Sequence, residues 1–192
     1  MLGLLNPRNG DVSDTFVITT VCEGNICRSP LAERLLRESL APPDFKVESA
    51  GLRALVGHTM DSQAAAVAER LGCTTAPHSG RQIDGLIVAG SSVLLTMTKS
   101  QRDMLVQMHP RALRKTFTLA EFAALCSEEA APVTAGNLTT IVGTFAQRRS
   151  EVRLTNEDDI EDPYLKSLEV HARVGEKISL LCAEIINNFR ES

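Results

Sequence analysis

Cys22 and Arg28, separated by five residues in the run Val21-Cys22-Glu23-Gly24-Asn25-Ile26-Cys27-Arg28-Ser29-Pro30, are a pair that could do chemistry together. A thiolate is a strong nucleophile. A planar guanidinium binds two oxygens of a phosphate at once, which an ammonium does not. Gly24 is expected to let the backbone turn with its N–H groups facing inward, as an anion nest requires. The same N–H groups and Arg28 favour the thiolate form of Cys22. The loop then reads as a phosphate cradle with a nucleophile at its floor, suited to covalent phosphoryl transfer without a metal. A bare Cys-x5-Arg is a weak signal, equally met by a buried cysteine near a surface arginine. The full Cys-x-Gly-Asn-x-Cys-Arg-Ser-Pro between a strand and a helix is far more specific.

Two elements must hold that loop. The apolar run Phe16 to Val21 reads as a buried strand. An amphipathic helix follows, with Ala32, Leu35, Leu36 and Ser39 on one face, Ser29 as its expected N-cap and Pro30 at the first helical position. A strand feeding a helix N-terminus places free N–H groups and the helix dipole where an anion is favoured.

The rest of the chain repeats the pattern. Phe45 to Ser49 reads as a second strand and Arg53 to Met60 as a loop. Asp61 is expected to cap a helix burying Ala64, Val67, Ala68 and Leu71 and closing at Gly72. Ser92 to Met97 is a third strand. Thr98 to Gln101 has capping-box spacing ahead of a stripe of Gln101, Met104, Leu105 and Met108, stopped by Pro110. Leu113 to Thr118 is a fourth strand, Leu119 to Leu125 a short helix. Lys166 to Phe189 is a long closing helix with Leu168, Ala172, Gly175, Ile178, Cys182, Ile185 and Phe189 inward. Alternating strands and helices imply right-handed crossovers and an α/β fold of three layers, αβα, around a four-stranded parallel sheet. Ligands then sit at the carboxyl ends of the strands, where Cys22 lies.

Composition sets the limits. With 192 residues, 43% of them hydrophobic, the chain suffices for one packed domain, expected over residues 15–192. A net charge of −4 and 4% aromatic residues supply neither a basic stripe nor a stacking platform for nucleic acid. Five cysteines at scattered spacings make no disulfide framework, and none has zinc-site spacing, so no metal or cofactor is expected. A reducing cytoplasm suits a thiolate. Met1 to Leu5 lacks the basic flank of a signal peptide, no membrane span is legible, and residues 1–14 are expected to form a flexible extension.

The loop resembles that of the low-molecular-weight protein tyrosine phosphatases. The resemblance runs over about residues 15–125 and 157–190 and implies a flavodoxin-like fold and hydrolysis of phosphotyrosine through a cysteinyl-phosphate. It makes Cys22 the nucleophile and Arg28 the phosphate clamp, with Glu23, Gly24, Asn25, Ile26, Cys27 and Ser29 completing the phosphate site. Ser29 would donate to the Cys22 thiolate and ease its departure. Ser49, after the second strand, and His78 in His-Ser-Gly-Arg-Gln-Ile match supporting positions, with Asn25 and Ser29, around the loop. Asp162, in Asp162-Pro163-Tyr164, matches the acid loop: a carboxyl there protonates the leaving phenolate and later activates water. Tyr164 would wall the pocket. Cys27 could form a reversible disulfide with Cys22 under oxidants, pack beneath the loop, or do both.

Ser-Ala-Gly-Leu-Arg-Ala-Leu-Val-Gly, from Ser49, resembles the bacterial branch linked to exopolysaccharide tyrosine kinases. Leu55 stands where many members carry an aromatic residue, so a more aliphatic wall is expected. Glu23, at a rim position often small or apolar, is expected to repel acidic phosphopeptides. Ile26 favours phosphotyrosine over phosphoarginine, whose family phosphatases carry threonine there. The implied partner is a phosphotyrosine protein, a bacterial tyrosine kinase among them, with no nucleic acid or membrane and a monomer or weak dimer. Residues 126–156 depart from the family as a helical insertion before the acid loop, its stripe Leu138, Ile141, Val142 and Phe145; it either packs on the surface or faces the substrate. Two rivals stand: a thioredoxin-coupled arsenate reductase, for which Cys73 has no neighbouring cysteine, and a silent phosphotyrosine-binding module, against which Cys22, Arg28 and Asp162 are all present.

Overall fold

A computed structural model describes residues 15–40, 42–74, 77–129 and 133–189; the expected extension over residues 1–14 lies outside them. Four strands form the sheet: β1 (Phe16–Cys22), β2 (Phe45–Gly51), β3 (Val93–Thr96) and β4 (Thr116–Thr118). They are parallel in the order β2-β1-β3-β4. Cys22 pairs with Gly51 and Val21 with Thr96, so β1, flanked on both sides, carries Cys22 to the carboxyl edge of the sheet.

Among the described residues, seven helices cover the two faces: α1 (Arg28–Arg37), α2 (Ser62–Arg70), α3 (Gly85–Gly90), α4 (Lys99–Met108), α5 (Leu119–Ser127), α6 (Ala135–Arg148) and α7 (Leu168–Asn188). The alternation of side chains along β1 explains the layers. Phe16, Ile18 and Cys22 join the larger core with Leu31 and Leu36 of α1, Phe122 of α5, Phe145 of α6 and Ile178 of α7. Val21 faces the other way, with Leu94, Val88 of α3 and Leu105 of α4. This is the three-layer αβα architecture expected.

Several boundaries move for identifiable reasons. Leu113 to Lys115 belongs to a 3-10 turn spanning Pro110–Lys115, so β4 keeps only three residues. α3, only six residues long, has Asp84 accepting from the Ile87 N–H as its cap and too few turns to show a period. Asp61 caps α2 as expected, and Gly72 takes a φ of 81° beyond its end. α1 begins at Arg28, without a side-chain cap, because the Ser29 hydroxyl is used inside the loop.

Helix α6, within the expected insertion, buries Leu138, Ile141, Val142 and Phe145, and the Phe145 ring stands 5.6 Å from that of Phe122. Just past its end, Arg149 reaches the buried Glu121 carboxylate at 3.2 Å, which Arg102 of α4 also approaches at 3.3 Å. Both observations are of a helix packed onto the body of the domain. Among the described residues, no helix is long and apolar enough to cross a membrane.

Candidate active site

Glu23 to Cys27 joins the end of β1 to the start of α1, and its turn is made at Asn25, which takes a φ of 56°. Gly24 was the expected hinge, but it is Asn25 that adopts the left-handed conformation, which asparagine tolerates better than other side chains. Its side chain then fixes that turn. Asn25 Nδ2 donates to Ser29 Oγ at 3.0 Å and to Ser49 Oγ at 2.9 Å, and Asn25 Oδ1 accepts the Arg81 N–H at 2.9 Å. His78 Nε2 donates to the Asn25 carbonyl at 2.7 Å, which places the ring proton on that nitrogen. Ser49 in turn donates to Glu33 of α1. Asn25, Ser29 and Ser49 are all buried, so each lost partner would leave a polar atom dry.

The backbone around the loop is held by close approach. A Cβ at Gly51 would lie 2.6 Å from the Glu23 carbonyl, and one at Gly80 only 2.4 Å from the Leu55 carbonyl. Only glycine lets these chains pass. Leu52, Arg53 and Leu55 donate to the carbonyls of Cys22, Glu23 and Gly24 at 2.9–3.0 Å, sewing the 53–60 loop to the phosphate loop.

Cys22 Sγ sits within this frame, accepting the Asn25 N–H at 3.3 Å and lying 2.9 Å from Ser29 Oγ. Ser29 accepts from Asn25, which leaves its hydroxyl proton for the sulfur, the Ala50 carbonyl being a longer alternative at 3.4 Å. Cys27 is buried and unbonded to any other sulfur; burial first, then the carboxylate of Asp61, pushes its thiol up and keeps it protonated.

Arg28 is 4% exposed. Its Nη1 donates to the Ile160 carbonyl at 3.0 Å, its Nη2 pairs with Asp162 Oδ2 at 2.6 Å, and its Nε is buried without a protein partner. A buried guanidinium N–H without an acceptor costs free energy unless a ligand supplies one. Ile160 is itself buried and donates to the Met97 carbonyl at the end of β3, so the segment bearing Asp162 is tied to the sheet edge.

The resulting cavity, about 190 Å³, is lined by Cys22, Glu23, Gly24, Ile26, Cys27, Arg28, Arg53, Leu55, Asp162 and Tyr164. Nine of these ten were named from the sequence; Arg53 was not. The structure therefore brings Cys22, Arg28, Asp162 and the expected walls Ile26, Leu55 and Tyr164 around one cavity, with Asn25, Ser29, Ser49 and His78 bonded to one another or to the loop behind it. Arg53 changes the expectation for Glu23: its Nη1 lies 2.6 Å from Glu23 Oε1, so the rim carboxylate is paired rather than bare. Arg81 and Glu33 were also missed; Arg81 lies inside the His78 motif, whereas Glu33 carried no signal. Cys73 is buried and lines no part of this cavity.

The comparisons with known proteins agree on one family. The profile of the low molecular weight phosphotyrosine protein phosphatases matches residues 17–135. The low molecular weight protein-tyrosine-phosphatase Wzb of Escherichia coli K12 is 34% identical over 157 residues, 82% of this chain and 84% of that one. The crystal structure of Wzb from Escherichia coli K30 in complex with sulphate superposes with a TM-score of 0.67 at 28% identity, covering 90% of this chain and 97% of that one. YwlE arginine phosphatase from Geobacillus stearothermophilus reaches a TM-score of 0.69 at 27% identity, with 90% and 91% covered.

Proposed function

Because the chain belongs to the low molecular weight phosphotyrosine protein phosphatase family, we propose that Cys22 removes the phosphoryl group of protein phosphotyrosine in two displacements. The carrying observation is Arg28: a buried guanidinium facing the same small cavity as the nucleophile, with Nε left without a protein acceptor. An arriving phosphate supplies that acceptor and competes with Asp162 for the rest of the fork.

In the first step the Cys22 thiolate attacks phosphorus, the bond from phosphorus to the tyrosine oxygen breaks, and the Asp162 carboxyl protonates the leaving phenolate. In the second, Asp162, now a carboxylate, takes a proton from water as that water attacks phosphorus. The sulfur–phosphorus bond breaks, and inorganic phosphate and the thiolate are released. The Ser29 hydroxyl, 2.9 Å from the sulfur, stabilises the departing thiolate. Arg28 and the loop amides carry the charge of the equatorial oxygens, the work that positioning and fixed dipoles do in phosphoryl transfer.

The walls favour an aryl ester. Ile26, Leu55 and the carbon skeleton of Tyr164 line the cavity with apolar surface, and the Ile26 side chain offers no acceptor for the N–H groups of a phosphoarginine. A thiolate enzyme works in a reducing compartment, so we place it in the cytoplasm, with a phosphorylated tyrosine kinase among its protein substrates.

The test is phosphate release from para-nitrophenyl phosphate, a phosphotyrosine peptide and a phosphoarginine peptide, by wild type and Cys22→Ser. Wild type should turn over the first two and leave the third. Cys22→Ser should lose turnover while still binding inorganic phosphate by titration calorimetry. Turnover persisting in Cys22→Ser would overturn the mechanism, and preference for the phosphoarginine peptide would overturn the substrate.

A further inference from the structure

A second cavity opens directly beside the first. It is about 510 Å³ and shares Glu23, Arg28, Arg53 and Asp162 with the catalytic pocket. It then runs past Thr98, Ser100 and Gln101 of the α4 start to Asp159 and Glu161 on the segment that carries the acid. The Glu23–Arg53 ion pair, like Arg28 and Asp162, lines both spaces. A phosphotyrosine filling the first cavity would leave its polypeptide at the mouth of the second, so its occupant is the residue next to the phosphotyrosine.

Charge indicates which residue. Four carboxylates (Glu23, Asp159, Glu161, Asp162) and two guanidiniums (Arg28, Arg53) line the groove. A bound phosphate engages Arg28 and Asp162 is then the protonated acid, so the surplus of negative charge in the groove stays. Not all four carboxylates are equally available. Glu161 is already held by Lys166 at 2.8 Å and Arg173 at 2.6 Å, and Asp162 belongs to the reaction. Asp159 is different. Its Oδ1 accepts only the Lys99 N–H, at 2.8 Å, and among the described residues no donor reaches its second oxygen. The neighbouring ammonium groups do not neutralise it either: Lys99 Nζ donates to the carbonyls of Leu154 and Thr155, and Lys177 to those of Glu157 and Asp159. Glu23 has one partner, Arg53, whose side chain is 70% exposed and free to swing away.

We propose that this groove is a subsite for a lysine or arginine flanking the phosphotyrosine of the substrate, with Asp159 and Glu23 as its carboxylate partners. The inference rests on the phosphatase reading above and adds a substrate class to it. Arg53 acts as the stand-in cation for Glu23 until a substrate cation displaces it. A flanking glutamate instead meets Asp159 and Glu23 across the groove and gains only Arg53.

The experiment compares kcat/KM for synthetic phosphotyrosine peptides identical except for lysine, alanine or glutamate at the residues on each side of the phosphotyrosine. Wild type should rank lysine above alanine above glutamate, with about a threefold step between neighbours, the scale of a solvent-accessible ion pair, shrinking as salt is raised. The lysine-to-alanine ratio should fall toward one in Asp159→Asn, where the amide oxygen still serves the Lys99 N–H. Ser100→Lys, which places a cation in the groove, should invert the ranking. Equal kcat/KM for all three peptides in wild type, or a ranking that Asp159→Asn and Ser100→Lys both leave intact, would overturn the subsite while the phosphatase reading stands. No phosphate release from any peptide would overturn that reading and the subsite with it.

Discussion

Arg28 Nη2 lies 2.6 Å from Asp162 Oδ2, joining the first helix of the domain to the segment that precedes the last. The pair is unequal: the guanidinium is 4% exposed and the carboxylate 46%. Arg28 is therefore fixed, by burial and by the Ile160 carbonyl, whereas Asp162 stands at the solvent edge, where it can exchange Arg28 for a leaving group. The difference suits the roles proposed for them, a fixed clamp in Arg28 and a proton carrier in Asp162.

That asymmetry predicts a leaving-group effect. Asp162→Asn keeps the shape but cannot protonate a departing oxygen, so kcat/KM, which reports the first displacement alone, should fall by about 100-fold or more for phenyl phosphate, the usual scale of general acid catalysis. The loss should be much smaller for para-nitrophenyl phosphate, whose phenolate leaves unaided. Steady-state rates over a series of aryl phosphates check this, and an equal loss across the series would assign the proton to another group.

Asn25 should be as important for architecture as for rate. Replacing it with alanine removes the bonds to Ser29, Ser49 and Arg81 and puts a side chain less tolerant of a φ of 56° at the turn. With buried partners left unsatisfied, the expected cost is about 2–3 kcal/mol of stability. Because Ser29 then loses the donor that orients its hydroxyl, kcat should fall while phosphate affinity falls less. Urea denaturation and the split between kcat and the inhibition constant of phosphate measure the two effects separately.

Much of this was readable in the chain, and the reasons differ by residue. The loop from Cys22 to Arg28 was legible because rare residue types stand in it at fixed spacing beside a strand. β1 and β3 were legible as runs of apolar and β-branched residues, Asp61 as a cap ahead of a helical stripe. Pairings between distant segments were not: nothing local ties Arg53 to Glu23, or Glu33 to Ser49, because both depend on how β2 lies beside β1. The buried stripe of α7 begins later than its periodicity predicts. Leu168 is 54% exposed, and the buried position in that first turn is His171. A helix start has neighbours on fewer sides than its middle, so periodicity alone misplaces it.

Glu48 gives a pH dependence with a defined sign. Burial alone would push its carboxyl up, but the hydrogen bond from Lys46 and the charge of Arg81 outweigh that and hold it below the ordinary glutamate value. A folded value below the unfolded one, about 4.3, contributes stability that is present above the unfolded value and lost as pH falls through the folded one. Wild type should thus exceed Glu48→Gln by about 1 kcal/mol at pH 7, with the gap closing below about pH 4. Urea midpoints measured from pH 7 to pH 3 check it. A gap that does not change with pH would show that Glu48 acts through packing rather than charge.

Helix α6, in the proposed insertion, offers the sharpest separation of stability from activity. Phe145 on α6 is fully buried against Phe122, while no residue of α6 lines the catalytic cavity. Removing the ring should leave a cavity that α5 and α6 cannot close, because both are pinned by the Glu121–Arg149 contact, 3.2 Å long, at one end. Phe145→Ala should therefore cost about 3–5 kcal/mol. Assayed well below its lowered midpoint, the variant should keep a kcat for para-nitrophenyl phosphate within about twofold of wild type, since surface packing away from the reacting atoms leaves the transition state untouched. A tenfold fall in kcat with the chain still folded by circular dichroism would mean that α6, through the segment from Arg149 to Ile160, sets the position of Asp162. The insertion would then be part of how the acid is delivered.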